Sequence, residues 1–165
     1  MTQEFFKEGY MVPETSNYLK LSEGSHTFRI LSSAITGYQY FNKDNKPIRS
    51  KDPFEETPSD IKKDGKVNHF WAFVIYNRDA EKIQVLELTQ KSIMSPLKDL
   101  IDNPKWGSIF GYDITITRKG TGFNDTEYSV IPNPKEVLSE EITNLYNNTN
   151  INLDALYESK NPFGE

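Results

Sequence analysis

Residues 118–123 place two cations, two glycines and one aromatic ring in a single short stretch. Arg118 and Lys119 can neutralise phosphate groups, and the ring of Phe123 can stack on a base. Alternating strands precede and follow this stretch, and its glycines supply the positive-φ conformations that a tight turn needs. We therefore expect a β-hairpin whose loop contacts a phosphate backbone and a stacked base.

Two further groups of side chains fit the same chemistry. The cationic half of a proline-containing stretch, residues 42–66, supplies Lys46, Arg49 and Lys51 as candidate phosphate contacts. Strand-like stretches supply candidate stacking rings, which are Tyr38, Tyr40, Trp71 and Phe73. For Trp71 and Phe73 a place in the core is the alternative, because large apolar side chains on a strand are usually buried.

Catalysis has little support in the composition. The chain has no cysteine and two histidines, His26 and His69, which excludes thiol catalysis and leaves little for a transition-metal site. Carboxylates near the hairpin, Asp113, Asp125 and Glu127, could be imagined as the metal ligands of a nuclease, but no phosphate-binding loop or nucleophile motif accompanies them. We predict a protein that is not an enzyme and that needs no metal or cofactor.

Charge is unevenly distributed along the 165 residues. The chain carries a net charge of −5, yet residues 19–54 carry +3 and residues 105–124 carry +2, while residues 134–165 carry −4. A basic binding surface with an acidic tail fits this pattern, although the overall charge opposes binding to nucleic acid. No apolar run is long enough for a membrane span and no secretory signal is recognisable, so we expect a soluble cytoplasmic protein.

Periodicity predicts a mainly β chain with two helices. The predicted strands are 26–31, 35–41, 67–77, 82–88 and the two arms of a hairpin within 106–132, and residues 42–66 are predicted to be a long loop. Ser32-Ser33-Ala34 is interpreted as a kink, so the first two strands can be one bent strand. One helix follows, capped by Thr89 or starting at Pro96, and a second is predicted over 135–146.

If 67–77 and 82–88 are counted as one strand and its hairpin extension, this order predicts a five-stranded OB-fold barrel with a helix between strands 3 and 4 and a C-terminal helical extension. We divide the chain into an extended arm (1–18), an OB-fold nucleic-acid-binding domain (19–133) and a C-terminal helix and tail (134–165). Strand 67–77 is apolar on both faces, which is typical of a central strand covered on two sides or of one whose outer face stacks ligand rings.

Four stretches resemble the single-stranded-DNA-binding proteins of tailed phages: 16–31, 46–58, 69–93 and 106–130. The resemblance covers roughly residues 10 to 140 in order, and the hairpin is its most specific part. It implies an OB-fold that coats and protects single strands in phage DNA replication and recombination, in the cytoplasm of the host cell. It also implies contacts with replication or recombination proteins. The C-terminal part of the chain is the candidate surface for these contacts. Some members of that family hold zinc through cysteine, which this chain lacks.

We therefore expect a DNA-binding protein that takes single-stranded DNA without sequence specificity. The alternative is an OB-fold protein-interaction adaptor that uses its aromatic face to hold a partner peptide and binds no nucleic acid. The overall charge slightly favours this alternative.

Overall fold

The computed structural model describes Phe5, residues 17–122 and residues 124–164. Most of the predicted arm 1–18 and the candidate ring Phe123 lie outside the described residues. The strands are β1 (Gly24–Ile30), β2 (Ile35–Phe41), β3 (Pro47–Ser50), β4 (Asn68–Asn77), β5 (Lys82–Leu88), β6 (Tyr112–Lys119) and β7 (Glu127–Lys135). The helices are α1 (Lys91–Asp102) and α2 (Glu140–Asn147), with 3₁₀ helices at Pro104–Trp106, Ile109–Gly111 and Leu153–Glu158.

The seven strands form one antiparallel sheet in the order β3-β2-β4-β1-β6-β7, and β5 pairs with the other edge of β4. The mainly β prediction is confirmed. The strand count differs from the five that were predicted, and in the described part of the chain the sheet is open. Helix α1 lies between β5 and β6, on the chain segment where a helix was expected.

Strands β1 and β2 act as one bent strand along a single edge of β4. Ile30 of β1 pairs with Ile75, and Ile35 of β2 pairs with Ala72 a short distance along the same edge. Between them the Ser32 hydroxyl accepts a hydrogen bond of 2.8 Å from the amide of Val74, which keeps this backbone group paired across the kink. The interpretation of residues 32–34 as a kink is therefore confirmed.

The long loop predicted over 42–66 is partly wrong, because it contains β3. Residues Pro47–Ser50 pair with β2, with Gln39 opposite Arg49 and Phe41 opposite Pro47. A proline in the first position of an edge strand costs little, since its missing N–H faces away from the partner strand. This short strand carries one of the predicted cations, Arg49, onto the sheet.

Two element boundaries also differ from the prediction. Helix α1 begins after Gln90 rather than Thr89 and continues through Pro96. Strand β7 runs through Pro132 and Pro134, and the second helix starts at Glu140 with Ser139 as its N-cap. In the described chain β7 pairs with β6 alone, so its prolines disrupt no second ladder of hydrogen bonds.

Apolar side chains pack on both faces of β4. The inner face contributes Phe73 and Ile75 to a core with β1, β5, β6 and α1. The outer face contributes Phe70 and Ala72 to a second cluster with Val85 of β5. The expectation of a central strand covered on two sides is thus confirmed.

Residues 148–163, which we call the C-terminal segment, cover this outer face. Leu156 is fully buried against Phe70, and further contacts come from Ile151, Leu153, Tyr157 and Phe163. The Tyr157 hydroxyl donates to the backbone oxygen of Thr36 at 2.5 Å, which ties the segment to β2. The outer face of β4 is therefore occupied by the chain itself.

Across the described ranges, no helix combines the length and the apolar character that crossing a membrane requires.

Candidate nucleic-acid interface

A groove of about 1020 Å³ lies over the outer face of β2 and β3, beyond the part that the C-terminal segment covers. Gln39, Phe41 and Arg49 line it from the sheet, and residues 17–20 and 156–161 contribute lining residues from the two flanking segments. The N-terminal wall is held in place by backbone hydrogen bonds, since Leu19 donates to Val85 and Val85 donates to Asn17. We call this feature the cationic groove.

Most of the charged side chains that line the cationic groove are positive. Four are cations (Lys20, Lys46, Arg49 and Lys160) and one is an anion (Glu87). The three lysines are exposed, and Lys160 makes a loose ion pair of 4.0 Å with Glu158. A positive groove on a chain of net charge −5 concentrates field where an anionic ligand would enter.

Arg49 is already partnered within the groove. Its Nη2 lies 2.7 Å from Glu87 Oε2 and its Nε lies 3.2 Å from Glu87 Oε1, a bidentate ion pair that is largely buried. The guanidinium also lies 6.0 Å from the centre of the Phe70 ring. Arg49 is thus held in the wall by Glu87, while the charges of the three lysines are exposed to solvent.

Aromatic rings accompany these charges. Phe41 is 42% exposed and lines the groove, so one surface of its ring is accessible to a flat ligand. Tyr18 lines it from the N-terminal wall. Burial raises the pKa of the Tyr18 phenol, with a lowering influence from Arg49 and a raising one from Glu87, so this hydroxyl stays protonated at neutral pH.

Of the three cations predicted from residues 42–66, Lys46 and Arg49 therefore lie in this groove. The third, Lys51, is exposed, with its Nζ 5.3 Å from the centre of the Tyr157 ring, next to the C-terminal segment.

The predicted tyrosines lie on the opposite face of β2. Tyr38 packs its ring against His69 at 5.1 Å between centroids. Tyr40 is 6% exposed, donates a 2.7 Å hydrogen bond to Asp60 and meets Phe54 edge to face. Strand alternation points Gln39 and Phe41 the other way, into the groove. Tyr38 and Tyr40 are therefore not brought together with Lys46 and Arg49.

The predicted rings of β4 also face inward. Phe73 is 3% exposed and belongs to the inner core, and half-buried Trp71 packs against that core. The ring of Phe73 has no free surface on which a base could stack. For these two residues the structure supports the core alternative.

The hairpin between β6 and β7 lies at the other end of the bent strand. Arg118 pairs with Gly24 at the start of β1, whereas the groove lies at the end of β2. The Arg118 guanidinium donates to the backbone oxygens of Leu21 (3.1 Å) and Gly120 (3.2 Å), so it fixes the local fold. Lys119 is exposed.

The turn itself requires glycine. Gly120 has φ of 84°, and a Cβ added there would lie 2.2 Å from the backbone oxygen of Asp125. The glycine-bearing hairpin turn predicted from the sequence is thus present, with this physical reason for its glycine.

Asp113, one carboxylate of the imagined nuclease, is held by two arginines. It accepts hydrogen bonds from Arg29 Nε at 2.7 Å and from Arg78 Nε at 3.0 Å. Arg29 is fully buried and donates further to the backbone oxygens of Phe110 and Glu136. Within the described residues, no group of three or more His, Asp or Glu side chains is arranged to hold a metal ion. Asp113 serves to neutralise a buried cation.

The lining residues that sequence reasoning missed include the two lysines, the amide and the exposed ring on which the groove depends, namely Lys20, Lys160, Gln39 and Phe41. The alternation of ITGYQYF placed Gln39 and Phe41 together on one face, and the tyrosine face was favoured instead. Lys20 and Lys160 lie 140 residues apart in the chain, so their proximity follows from packing that no local pattern contains.

Comparisons of this chain with protein-family models, with curated proteins and with solved structures find no match.

Proposed function

We propose that this chain is a sequence-nonspecific single-stranded-DNA-binding protein and that the strand binds in the cationic groove. The observation that carries the proposal is the union of exposed lysines and an exposed ring, Phe41, in one groove of an otherwise acidic chain. Nonspecific binding of a single strand needs these two components, because cations follow the phosphates and rings stack on bases of any identity.

The sheet topology supports an OB-type barrel as the scaffold. If β1 and β2 are counted as one bent strand and β3 as a hairpin extension, five main strands remain, with α1 between the third and the fourth. OB-folds bind oligonucleotides beside the connection between their first two strands. The cationic groove adjoins the corresponding connection, which starts after Phe41.

In this proposal the protein coats and protects exposed single strands during phage DNA replication and recombination, the role that the sequence resemblance implies. Lys119 is exposed at the far end of the bent β-strand. In the proposal it is a further phosphate contact for a DNA strand long enough to extend beyond the groove. The C-terminal segment, which ends beside the groove, is the surface proposed for replication or recombination partners.

The proposal is tested by fluorescence anisotropy of a labelled oligo-dT at several salt concentrations. Binding should weaken with salt, with a slope of log K against log salt of about −2 if three lysines each neutralise one phosphate of a single strand. Lys46→Glu combined with Lys160→Glu should weaken binding at least about tenfold.

A matched pair, Lys105→Glu with Lys135→Glu, makes the same change in net charge at exposed residues that do not line the groove. It should stay within about twofold of the parent after allowance for the general charge effect. Equal losses in both pairs would place the strand elsewhere, and no binding at low salt by a protein folded by circular dichroism would reject the proposal.

The protein-interaction adaptor is supported by a different surface. Phe110 and Val137 are exposed and line the same small groove of about 290 Å³. An adaptor that uses this surface would keep its partner when Lys46 and Lys160 are reversed in charge. Under that alternative, oligo-dT would not bind.

A further inference from the structure

Gln39 is a buried amide in the wall of the cationic groove. It sits in the middle of β2, opposite Arg49 on β3 and Asn68 on β4, and is 6% exposed. Its Oε1 accepts no hydrogen bond from the described residues. The nearest cation across the strand, Arg49, directs its guanidinium to Glu87.

A buried amide oxygen without a hydrogen bond is costly to a folded protein. Leaving one acceptor unsatisfied costs about 1–3 kcal/mol, and an apolar side chain of similar size would avoid that cost. An amide can both accept and donate, and Gln39 lies two residues from Phe41 on the same face of the strand. A ring stacked on Phe41 would therefore bring its edge towards this amide.

We propose that Gln39 binds the Watson–Crick edge of an unpaired nucleobase and so determines the preference for single strands over duplex. Each of the four bases carries a donor beside an acceptor on that edge, which a carboxamide can match without choosing among them. In a duplex the same edge is occupied by the partner base. Phosphate contacts cannot distinguish single strands from duplex, since both carry phosphates. The inference rests on the proposed function of the same groove.

The test uses the wild-type protein and two related oligonucleotides. Oligo-dU keeps the N3–H donor of thymine, and oligo-dT methylated at N3 lacks it. Wild-type protein should bind oligo-dU within about twofold of oligo-dT and the N3-methylated strand about 5- to 50-fold more weakly. The salt slopes should agree for all three strands, because no phosphate contact changes.

Gln39→Met removes the amide at nearly constant length. This variant should bind oligo-dT and its N3-methylated form equally, at the level of the wild type on the methylated strand, and its binding to duplex should equal that of the wild type. Its melting temperature should not fall, because the amide makes no hydrogen bond through Oε1 that is lost. Gln84→Met is the contrast, since Gln84 accepts from Asn77 at 2.8 Å and its loss should lower the melting temperature.

If N3-methylation weakens binding by the same factor for the wild type and for Gln39→Met, and both bind oligo-dT, the inference is overturned. The proposed function is then left intact. A marked fall in the melting temperature of Gln39→Met would also overturn it by giving the amide a structural role. If wild-type protein binds no oligo-dT at low salt, both the inference and the proposed function fail.

Discussion

Phe41 and Tyr40 are neighbours in β2 with opposite surroundings. The phenol of Tyr40 is enclosed with Phe54 and Asp60, while the ring of Phe41 is 42% exposed in the cationic groove. The exposed part of the Phe41 ring gains nothing from folding, because its apolar surface remains in contact with water. A stacked base would cover that surface.

Phe41→Leu should therefore weaken binding of oligo-dT by about 5- to 150-fold, the equivalent of roughly 1–3 kcal/mol for one stacked base. Anisotropy titration at fixed salt measures this loss, and the salt slope should be unchanged. Phe110→Leu is the matched control, because Phe110 is 44% exposed and lies outside the groove. A comparable loss in both variants would argue against stacking on Phe41.

Some residues of the candidate site could be predicted from the sequence. Lys46 and Arg49 could be predicted because several cations are clustered beside a proline and an aromatic residue in residues 42–66, although the pairing of Arg49 with Glu87 could not. The choice between Tyr38 and Phe41 could not be made, since alternation separates two faces of a strand without saying which one is covered. The face of β2 that carries Tyr38 and Tyr40 is covered by Phe54, Asp60 and His69, which come from other parts of the chain.

Among the elements, the C-terminal segment has the largest consequence for the site. It runs over the outer face of β4, and its residues 156 and 159–161 line the cationic groove, where the Ser159 hydroxyl donates to the backbone oxygen of Pro47 at 3.4 Å. Leu156 is its deepest side chain and packs on Phe70 and Val85. The segment is therefore part of the folded core and also a wall of the groove.

Leu156→Ala should lower the free energy of unfolding by about 2–5 kcal/mol, because a buried leucine leaves both lost apolar contact and a cavity. Urea unfolding followed by circular dichroism measures this change. Leu145→Ala, at an exposed position of α2, should change the free energy by less than about 0.5 kcal/mol. A small effect at Leu156 would mean that the segment is only loosely attached to β4.

The strands themselves could be predicted from alternation, and the kink at Ser32 from its small polar residues. The boundaries that were wrong, at β3 and β7, involve prolines in edge strands, where tertiary pairing overrides the local tendency of proline to end a strand. The covering of β4 by residues about 80 positions later in the chain is a long-range contact that periodicity does not contain.

For the molecule as a whole, the net charge and the charge of the cationic groove have opposite signs. The chain is acidic, with a net charge of −5, so the bulk of its surface repels DNA, and the cationic groove provides local attraction. Under the proposed function, this separation implies that affinity for DNA depends more on salt than the net charge would suggest, since the proposed groove contacts are ionic. It also favours a defined binding path over adhesion to the whole surface.

Burial also makes the stability of the whole molecule sensitive to alkaline pH. Desolvation is the largest cause that raises the pKa of five tyrosines above the ordinary value of 10.0, and these are Tyr18, Tyr40, Tyr76, Tyr112 and Tyr157. Below pH 10 both folded and unfolded chains keep these phenols protonated. Above it the unfolded chain releases protons first, so it binds fewer protons than the folded chain, and the free energy of unfolding falls as pH rises.

We therefore expect urea midpoints that are lower at pH 11 than at pH 8 or 9, measured by circular dichroism at constant ionic strength. Tyr112→Phe supplies the comparison, because Tyr112 is fully buried and burial is the cause that raises its pKa. All other ionisable groups are the same in both proteins, so the difference between the two declines isolates the Tyr112 phenol. The variant should lose less stability than the wild type between pH 9 and 11. Identical declines in the two proteins would mean that the alkaline loss comes from groups other than this buried tyrosine.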